Sequence, residues 1–233
     1  MDTLMVLGGL QKLTVSDFPG HLAAILFTRG CNYRCPFCHN PELVDPRRYV
    51  DQISEADVFS FLGKRGEKLD GVVITGGEPT VHRDLPILLR RIKDMGLATK
   101  LDTNGSCPDM IEQIFELELV DYIALDIKSS PSSYSRAAGM PVDVDSIRQS
   151  IELICSSGLP HELRMTYVEP LVPFEELAGV AELARGCRLF LVQPFQPTKA
   201  LDSQFLLLPR PPVEKLEQVR AALESLGVPA AVR

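Results

Sequence analysis

Cys31, Cys35 and Cys38 stand in a C-x3-C-x2-C run that also carries Asn32, Pro36 and His39. Thiolates at such spacing bind metal, and two metal centres suit them. On a four-iron cubane, three cysteines leave one iron without a protein ligand, open to a substrate or cofactor. Alternatively, Cys31, Cys35, Cys38 and His39 complete a tetrahedral zinc set, although structural zinc normally adds a second cysteine knuckle, and none is visible. Asn32, Pro36 and His39 make the segment a loop rather than a buried element. Of the other cysteines, Cys107, Cys155 and Cys187 are scattered and read as small apolar residues, with Cys107 nearest to the other polar motifs.

Three more polar clusters can do chemistry. Gly76-Gly77-Glu78-Pro79 joins glycines, which let backbone approach a ligand closely, to a carboxylate able to accept from an ammonium. Taken alone it also reads as a strand-to-helix turn. Asp102-Thr103-Asn104 offers three side-chain oxygens, or equally a turn and helix cap. Asp126 and Lys128 bracket Ile127 and read either as site residues or as a surface ion pair.

What must position these clusters is an alternation of strands and helices. Short, nearly continuous apolar runs fall at 22–28, 71–75, 97–102, 121–127, 161–168 and 188–194. Such runs predict parallel strands covered by helices. Between them, Ser54 and Asp84 read as helix caps, Pro108 as a first helical residue, and Gly96 as a helix terminator. Leu85, Leu88, Leu89 and Ile92 form an apolar stripe, as do Ile147, Ile151 and Ile154. Segments 174–185 and 211–226 supply two more helices. Six strand–helix units predict an open partial (β/α)6 barrel of parallel strands, with a flat doubly wound sheet as the alternative. One domain over 1–233 is expected: an N-terminal extension over 1–20, a barrel core over 21–195, and a tail over 196–233 with a closing helix. The cysteine loop, GGEP, DTN and DIK follow the first four strands in turn, so all four fall at the strands' C-terminal ends, where such folds bind ligands. The loop over 29–53 is long enough to suggest a function of its own.

A net charge of −7 disfavours nucleic acid as the main partner. Neither a membrane span nor a leader is legible, so no membrane partner and a cytoplasmic location are expected. In that reducing compartment the six cysteines predict metal ligation rather than disulfides.

The motifs taken together carry a resemblance. SDFPG at 16–20, TRGCNYRCPFCHNPELV at 28–44, GGEPT at 76–80, KLDTNG at 100–105 and YIALDIK at 122–128 resemble the radical S-adenosylmethionine (SAM) superfamily. Within it they resemble the glycyl-radical-enzyme activases. The nearest group is the activating proteins of anaerobic ribonucleoside-triphosphate reductase, with the pyruvate formate-lyase activases close by. The resemblance runs from about residue 7 to residue 195. It implies a [4Fe–4S] cluster on Cys31, Cys35 and Cys38, with SAM chelating the open iron. Reductive cleavage of SAM would give a 5′-deoxyadenosyl radical that takes a hydrogen atom from a glycine of the partner. That partner would be a glycyl radical enzyme, anaerobic ribonucleotide reductase in the first place, and a flavodoxin or ferredoxin would donate the electron.

The same resemblance assigns residues. Phe37 and His39 would flank adenine. Gly76, Gly77, Glu78 and Pro79 would hold the SAM ammonium, and Asp102, Thr103 and Asn104 would lie beneath its methionyl and ribose parts. Asp102, Thr103 and Asp126 would hold a monovalent cation near the SAM carboxylate, with Lys128 paired to that carboxylate. Arg164 and Gln193, on the last strands, would reach the site. Gln193 stands where relatives often have His, so binding carries over and proton transfer does not. With only about 30 residues between Cys38 and the second run, one cluster is expected, without a ferredoxin-like insertion.

Overall fold

A computed structural model describes residues 5–233; the first four residues of the expected N-terminal extension lie outside the described residues. Its strands are β1 (Leu7–Thr14), β2 (Ala23–Thr28), β3 (Gly71–Gly76), β4 (Ala98–Thr103), β5 (Tyr122–Asp126), β6 (His161–Tyr167), β7 (Phe190–Pro194) and β8 (Ala230–Val232). The helices are α1 (Pro41–Val44), α2 (Glu55–Arg65), α3 (Leu85–Lys93), α4 (Pro108–Glu116), α5 (Tyr134–Ala138), α6 (Val144–Ser156), α7 (Leu177–Leu183) and α8 (Val213–Ser225). In the sheet the strands follow chain order, with β1 and β8 at its two edges. The result is an open, mostly parallel α/β sheet, as expected of a partial barrel.

Each of the six apolar runs forms one of the strands β2 to β7. Two strands are additional. β1 pairs antiparallel with β2 through an irregular register. Its sequence, LGGLQKLT, is exposed or half-exposed at all but its two ends, so it lacks the apolar signal of a covered strand. β8 is three residues long, too short to show a period, and pairs in parallel with β7.

The chain divides into two compact units. The first takes residues up to 32, then 42–103 and 109–123, and so holds β1 to β4 with α2 and α3. On one face of its sheet, Phe18, Ala23, Ile25 and Val73 form a buried cluster with Phe27, Ala98 and Tyr122 packed against it. On the other, Ala24, Leu26, Val72, Ile74 and Leu101 are fully buried, as are the stripes Val58–Leu62 and Leu85–Leu88–Leu89–Ile92 of α2 and α3. Burial on both faces is what makes the parallel strands continuous in apolar residues. Each such Leu or Ile contributes about 1.5–3 kcal/mol on leaving water.

Ser54 caps α2, its hydroxyl accepting from the Asp57 amide at 3.1 Å. Asp84 precedes α3 but makes no side-chain cap; its φ of −90° and ψ of 1° differ from the extended conformation a capping carboxylate requires.

The second unit takes 33–41, 104–108 and 124–233. Leu163, Met165, Tyr167, Phe190 and Val192 of its strands are buried, with Ile147 and Ile154 of α6, Val180 of α7 and Val219 of α8. The expected C-terminal helix is α8, and its neighbour β8 continues the sheet. Among the described residues no helix is long and apolar enough to cross a membrane.

Candidate metal centre

The segment from Thr28 to Val44 contributes Cys31 to the first unit and Cys35 and Cys38 to the second. In each unit a glycine packs closely against the backbone of this segment. In the first unit, Gly77 and Glu78 donate their amides to the carbonyls of Thr28 and Gly30 at 2.9 and 2.8 Å. A Cβ on Gly77 would lie 1.9 Å from the Gly30 carbonyl oxygen. Gly76 has φ of 115°, and a Cβ there would lie 2.4 Å from the Thr28 amide nitrogen. These glycines therefore serve close approach to the root of the cysteine loop, where the residue types alone suggest approach to a ligand.

In the second unit, Gly139 ends α5 at φ of 72°, and a Cβ there would lie 2.1 Å from the Arg34 carbonyl oxygen. The Arg34 amide donates to Ala138 at 2.8 Å, and the Asp202 amide donates to Pro36 at 2.9 Å. Helix α5 is not legible in the sequence as a support of the cysteine loop: it is five residues long, and only Gly139 as a helix terminator hints at it.

All six cysteines are free thiols. Cys35 and Phe37 are buried, and Cys31 and Cys38 are half-buried. The Cys38 amide donates to the Cys35 carbonyl at 3.0 Å, closing a turn between the two thiols. Burial pushes the Cys35 thiol up to about 11; the Lys128 ammonium opposes that rise, and Cys38 and Asp126 add to it. A metal at this sulfur would reverse the balance by deprotonating it outright. Donor type and free thiols both fit an iron–sulfur cluster. Among the described residues no three His, Cys, Asp or Glu side chains converge as they would on one ion. A cubane does not require such convergence, because each thiolate binds a different iron.

His39 places Nε2 2.9 Å from the Gln196 carbonyl and stacks on Phe195 at 5.5 Å between centroids. Because a carbonyl only accepts, Nε2 is the donor in this contact. Phe195, the last residue of the expected core, and Gln196 and Asp202 of the tail thus brace the cysteine loop within this unit.

In the first unit, Glu78 is 1% exposed, and its Oε1 accepts from the Thr80 amide at 3.0 Å, the Thr80 hydroxyl at 2.6 Å and the Thr103 hydroxyl at 2.7 Å. The strands β3 and β4 are thereby tied at their C-terminal ends. Pro79 opens the short turn that brings Thr80 back onto Glu78. Asp102 lies 2.5 Å, through Oδ1, from Nζ of Lys100, whose side chain is fully buried.

In the second unit, Asn104 accepts from the Ser106 amide at 2.9 Å, the turn expected of that residue type. Asp126 accepts from Arg164 Nε at 2.8 Å and from Lys128 Nζ at 3.3 Å. Burial works to raise its carboxyl, but the charges of Arg164 and then Lys128 prevail and hold it well below the usual carboxylate range. Gln193, half-buried, stands beside Thr166 at the C-terminal end of β7. Cys107 is half-buried next to Ser106, and burial pushes the Cys187 thiol up to about 12, as for an inert core cysteine.

Residues 25–185 match the Radical SAM superfamily. The chain belongs to the radical SAM superfamily. It is 31% identical over 222 residues to a candidate glycyl-radical enzyme activating enzyme of Methanocaldococcus jannaschii, covering 92% of this chain and 90% of that protein. Over 129 residues it is 38% identical to the pyruvate formate-lyase-activating enzyme of Listeria monocytogenes, about half of either chain (51% of each). In fold it is similar to Streptococcus suis SuiB bound to precursor peptide SuiA, with a TM-score of 0.68 at 15% identity, over 90% of this chain and 48% of that one. A domain of pyruvate-formate lyase-activating enzyme from Bacteroides vulgatus gives 0.56 at 19% identity, over 70% of this chain and 98% of that one. The protein is thus an enzyme of the radical SAM type, related to the glycyl-radical activases, and its superfamily works with a [4Fe–4S] cluster and SAM.

Proposed function

We propose that this radical SAM enzyme is an activase that installs a glycyl radical on a partner enzyme, with anaerobic ribonucleotide reductase as that partner. The observation that carries the reading is the match to the M. jannaschii relative over 92% of this chain and 90% of that protein. The order of the cysteine, GGEP, DTNG and DIK motifs supports it.

Cys31, Cys35 and Cys38 hold the cluster in this reading, and Phe37, His39, Gly76–Pro79, Asp102–Asn104, Asp126, Lys128, Arg164 and Gln193 hold SAM. When bound, cluster and SAM supply an electron and a carbon radical able to remove a hydrogen atom. The chain's own groups do the rest. Burial of Cys35 keeps water from the ligating sulfur, and loading must displace its proton, so assembly weakens as pH falls. Arg164 fixes the Asp126 carboxylate, and Lys128 beside it offers an ammonium to the amino-acid carboxylate of SAM. Glu78, held by Thr80 and Thr103, presents a fixed negative charge for the SAM ammonium. A flavodoxin or ferredoxin is the electron donor in this scheme, and the cytoplasm its setting.

The monovalent cation implied by the resemblance does not fit. Asp102 is paired with Lys100, and Asp126 is paired with Arg164 and Lys128. The carboxylates that would have needed a free ion are already neutralised by the chain.

The test is anaerobic reconstitution followed by reduction with SAM present. About four irons and four sulfides per chain, the stoichiometry of a cubane, and release of 5′-deoxyadenosine are expected. Addition of anaerobic ribonucleotide reductase should then give a glycyl EPR doublet. Stoichiometric zinc without sulfide would overturn the cluster. Deoxyadenosine release with no doublet would replace the partner. A substrate other than a glycyl enzyme has one observation in its favour: 28% identity, over 72% of this chain and 49% of the relative, to a probable GTP 3′,8-cyclase of Halobacterium salinarum.

A further inference from the structure

Lys100 occupies the middle of β4, beside Val73 in the parallel register, and its side chain is sealed from solvent, with 0% of its surface exposed. Residues two apart on a strand share a face, so Lys100 lies between Ala98 below it and Asp102 above it. Ala98 packs on the apolar cluster of Phe18, Ala23, Ile25 and Val73. The stem of Lys100 therefore rises from an apolar floor, its ammonium 5.6 Å from the centroid of the Tyr122 ring and 2.5 Å from Asp102 Oδ1. Asp102 itself is 13% exposed through its side chain.

A buried ammonium is a poor way to stabilise a fold. An apolar residue of similar volume would serve as well or better, because desolvating both charges offsets their attraction. What the pair does achieve is a carboxylate of fixed orientation and balanced charge at the C-terminal end of β4. We propose that Lys100 is the built-in counter-ion of Asp102, replacing the free monovalent cation that the resemblance would place there, and is thus a positioning residue for the SAM rim. A metal cation on the same carboxylate oxygen would sit beside the ammonium. With an effective dielectric of about 20, two unit charges about 4 Å apart disfavour joint occupancy roughly a thousandfold. The tether also removes any dependence on cation concentration.

The proposal rests on the reading of Asp102 as part of the SAM rim, but the exclusion of a cation from Asp102 does not. Two measurements keep these apart. In the first, crystals of the holoenzyme are grown with thallium(I) as the only small monovalent cation. No anomalous peak at Asp102 is expected; a peak within coordination distance of its carboxylate overturns the proposal whatever the enzyme's reaction. In the second, SAM affinity is measured by equilibrium dialysis, with sodium, potassium or the bulky N-methylglucammonium as the sole monovalent cation. The wild type should bind SAM equally in all three, and tenfold or greater weakening in the bulky cation would overturn the proposal. Lys100→Met should bind about tenfold more weakly in the bulky cation, with part of the loss recovered in sodium or potassium. Binding by this variant as tight as wild type in the bulky cation would also overturn it. If the variant does not fold, the two wild-type measurements still decide.

Discussion

Two aspartates at strand ends, Asp102 and Asp126, solve the same electrostatic problem in different ways. Asp102 pairs with a lysine of its own strand, sealed under it. Asp126 has Arg164 from β6 on one oxygen and Lys128, from just beyond β5, on the other. The first pair is almost closed to water, with side chains 0% and 13% exposed, while Asp126 is 33% exposed. A sealed pair can hold geometry but cannot exchange partners. An open one, on the proposed reading, releases Lys128 to the SAM carboxylate while Arg164 keeps Asp126 charged and in place. On the proposed reading, the first unit holds a fixed carboxylate and the second an adaptable one.

The same division can be tried at the glycines beneath the cysteine loop, where the largest effects are expected. Gly77→Ala in the first unit drives a methyl to 1.9 Å from the Gly30 oxygen, and Gly139→Ala in the second drives one to 2.1 Å from the Arg34 oxygen at a positive φ. In both cases the obstacle is backbone, which cannot rotate away. Each substitution should cost about 3 kcal/mol or more, lowering Tm by roughly 6–12 °C for a chain of this size. Each should also lower iron bound per chain, read by iron and sulfide analysis. Gly63→Ala in α2 is the matched control, since nothing lies within 4 Å of its Cβ. It should be neutral or stabilising by up to about 1 kcal/mol. Full cluster loading in both Gly77→Ala and Gly139→Ala would show that the loop does not lean on these contacts.

Arg164→Met probes the adaptable pair, with an intermediate effect. The wild-type Asp126 carboxyl is held low, so its ionic contribution is complete above the ordinary carboxylate range and disappears only as pH falls through the lowered value. Burial pushes the other way and, without Arg164, has only Lys128 against it. The folded value should rise, and the acid limb of SAM binding should move to higher pH. Because Asp126 is a third exposed, the cost at neutral pH is discounted to about 1–2 kcal/mol, roughly tenfold in SAM affinity. An acid limb unchanged in the variant would mean that Arg164 does not set the charge of Asp126.

Much of this is legible from the sequence. The six covered strands show in their apolar runs, and the motif order places the polar clusters at strand ends. β1 and β8 are not legible, because an exposed edge and a three-residue strand carry no apolar signal. Asp84 has the right type for a cap but the wrong backbone angles. Lys100 is invisible for another reason. A lysine between LAT and LDT reads as the polar side of a half-exposed strand, and only the fold shows that its face is an apolar interior. The glycines of GGEP stand out as points of close approach, but the partner the structure gives them, the backbone at 28–30, is too distant in sequence to see.

The smallest effect separates position from charge at Glu78. Its Oε1 takes three donors, two from Thr80 and one from Thr103. Thr103→Val keeps the branched shape that suits a strand and removes one hydroxyl, leaving both Thr80 bonds. A single neutral donor to a buried carboxylate contributes about 1–2 kcal/mol. The loss should therefore appear as a Tm lower by roughly 2–8 °C, with iron content unchanged and SAM affinity a fewfold weaker. Thr80→Val lies on the same carboxylate but is local to its turn, so it should lower Tm by a similar amount. It spares the tie between β3 and β4, and SAM affinity should fall less than in Thr103→Val. Equal loss of affinity in both variants would mean that Glu78 needs only its hydrogen bonds counted, and that the tie between the strand ends adds nothing to how the first unit holds its frame.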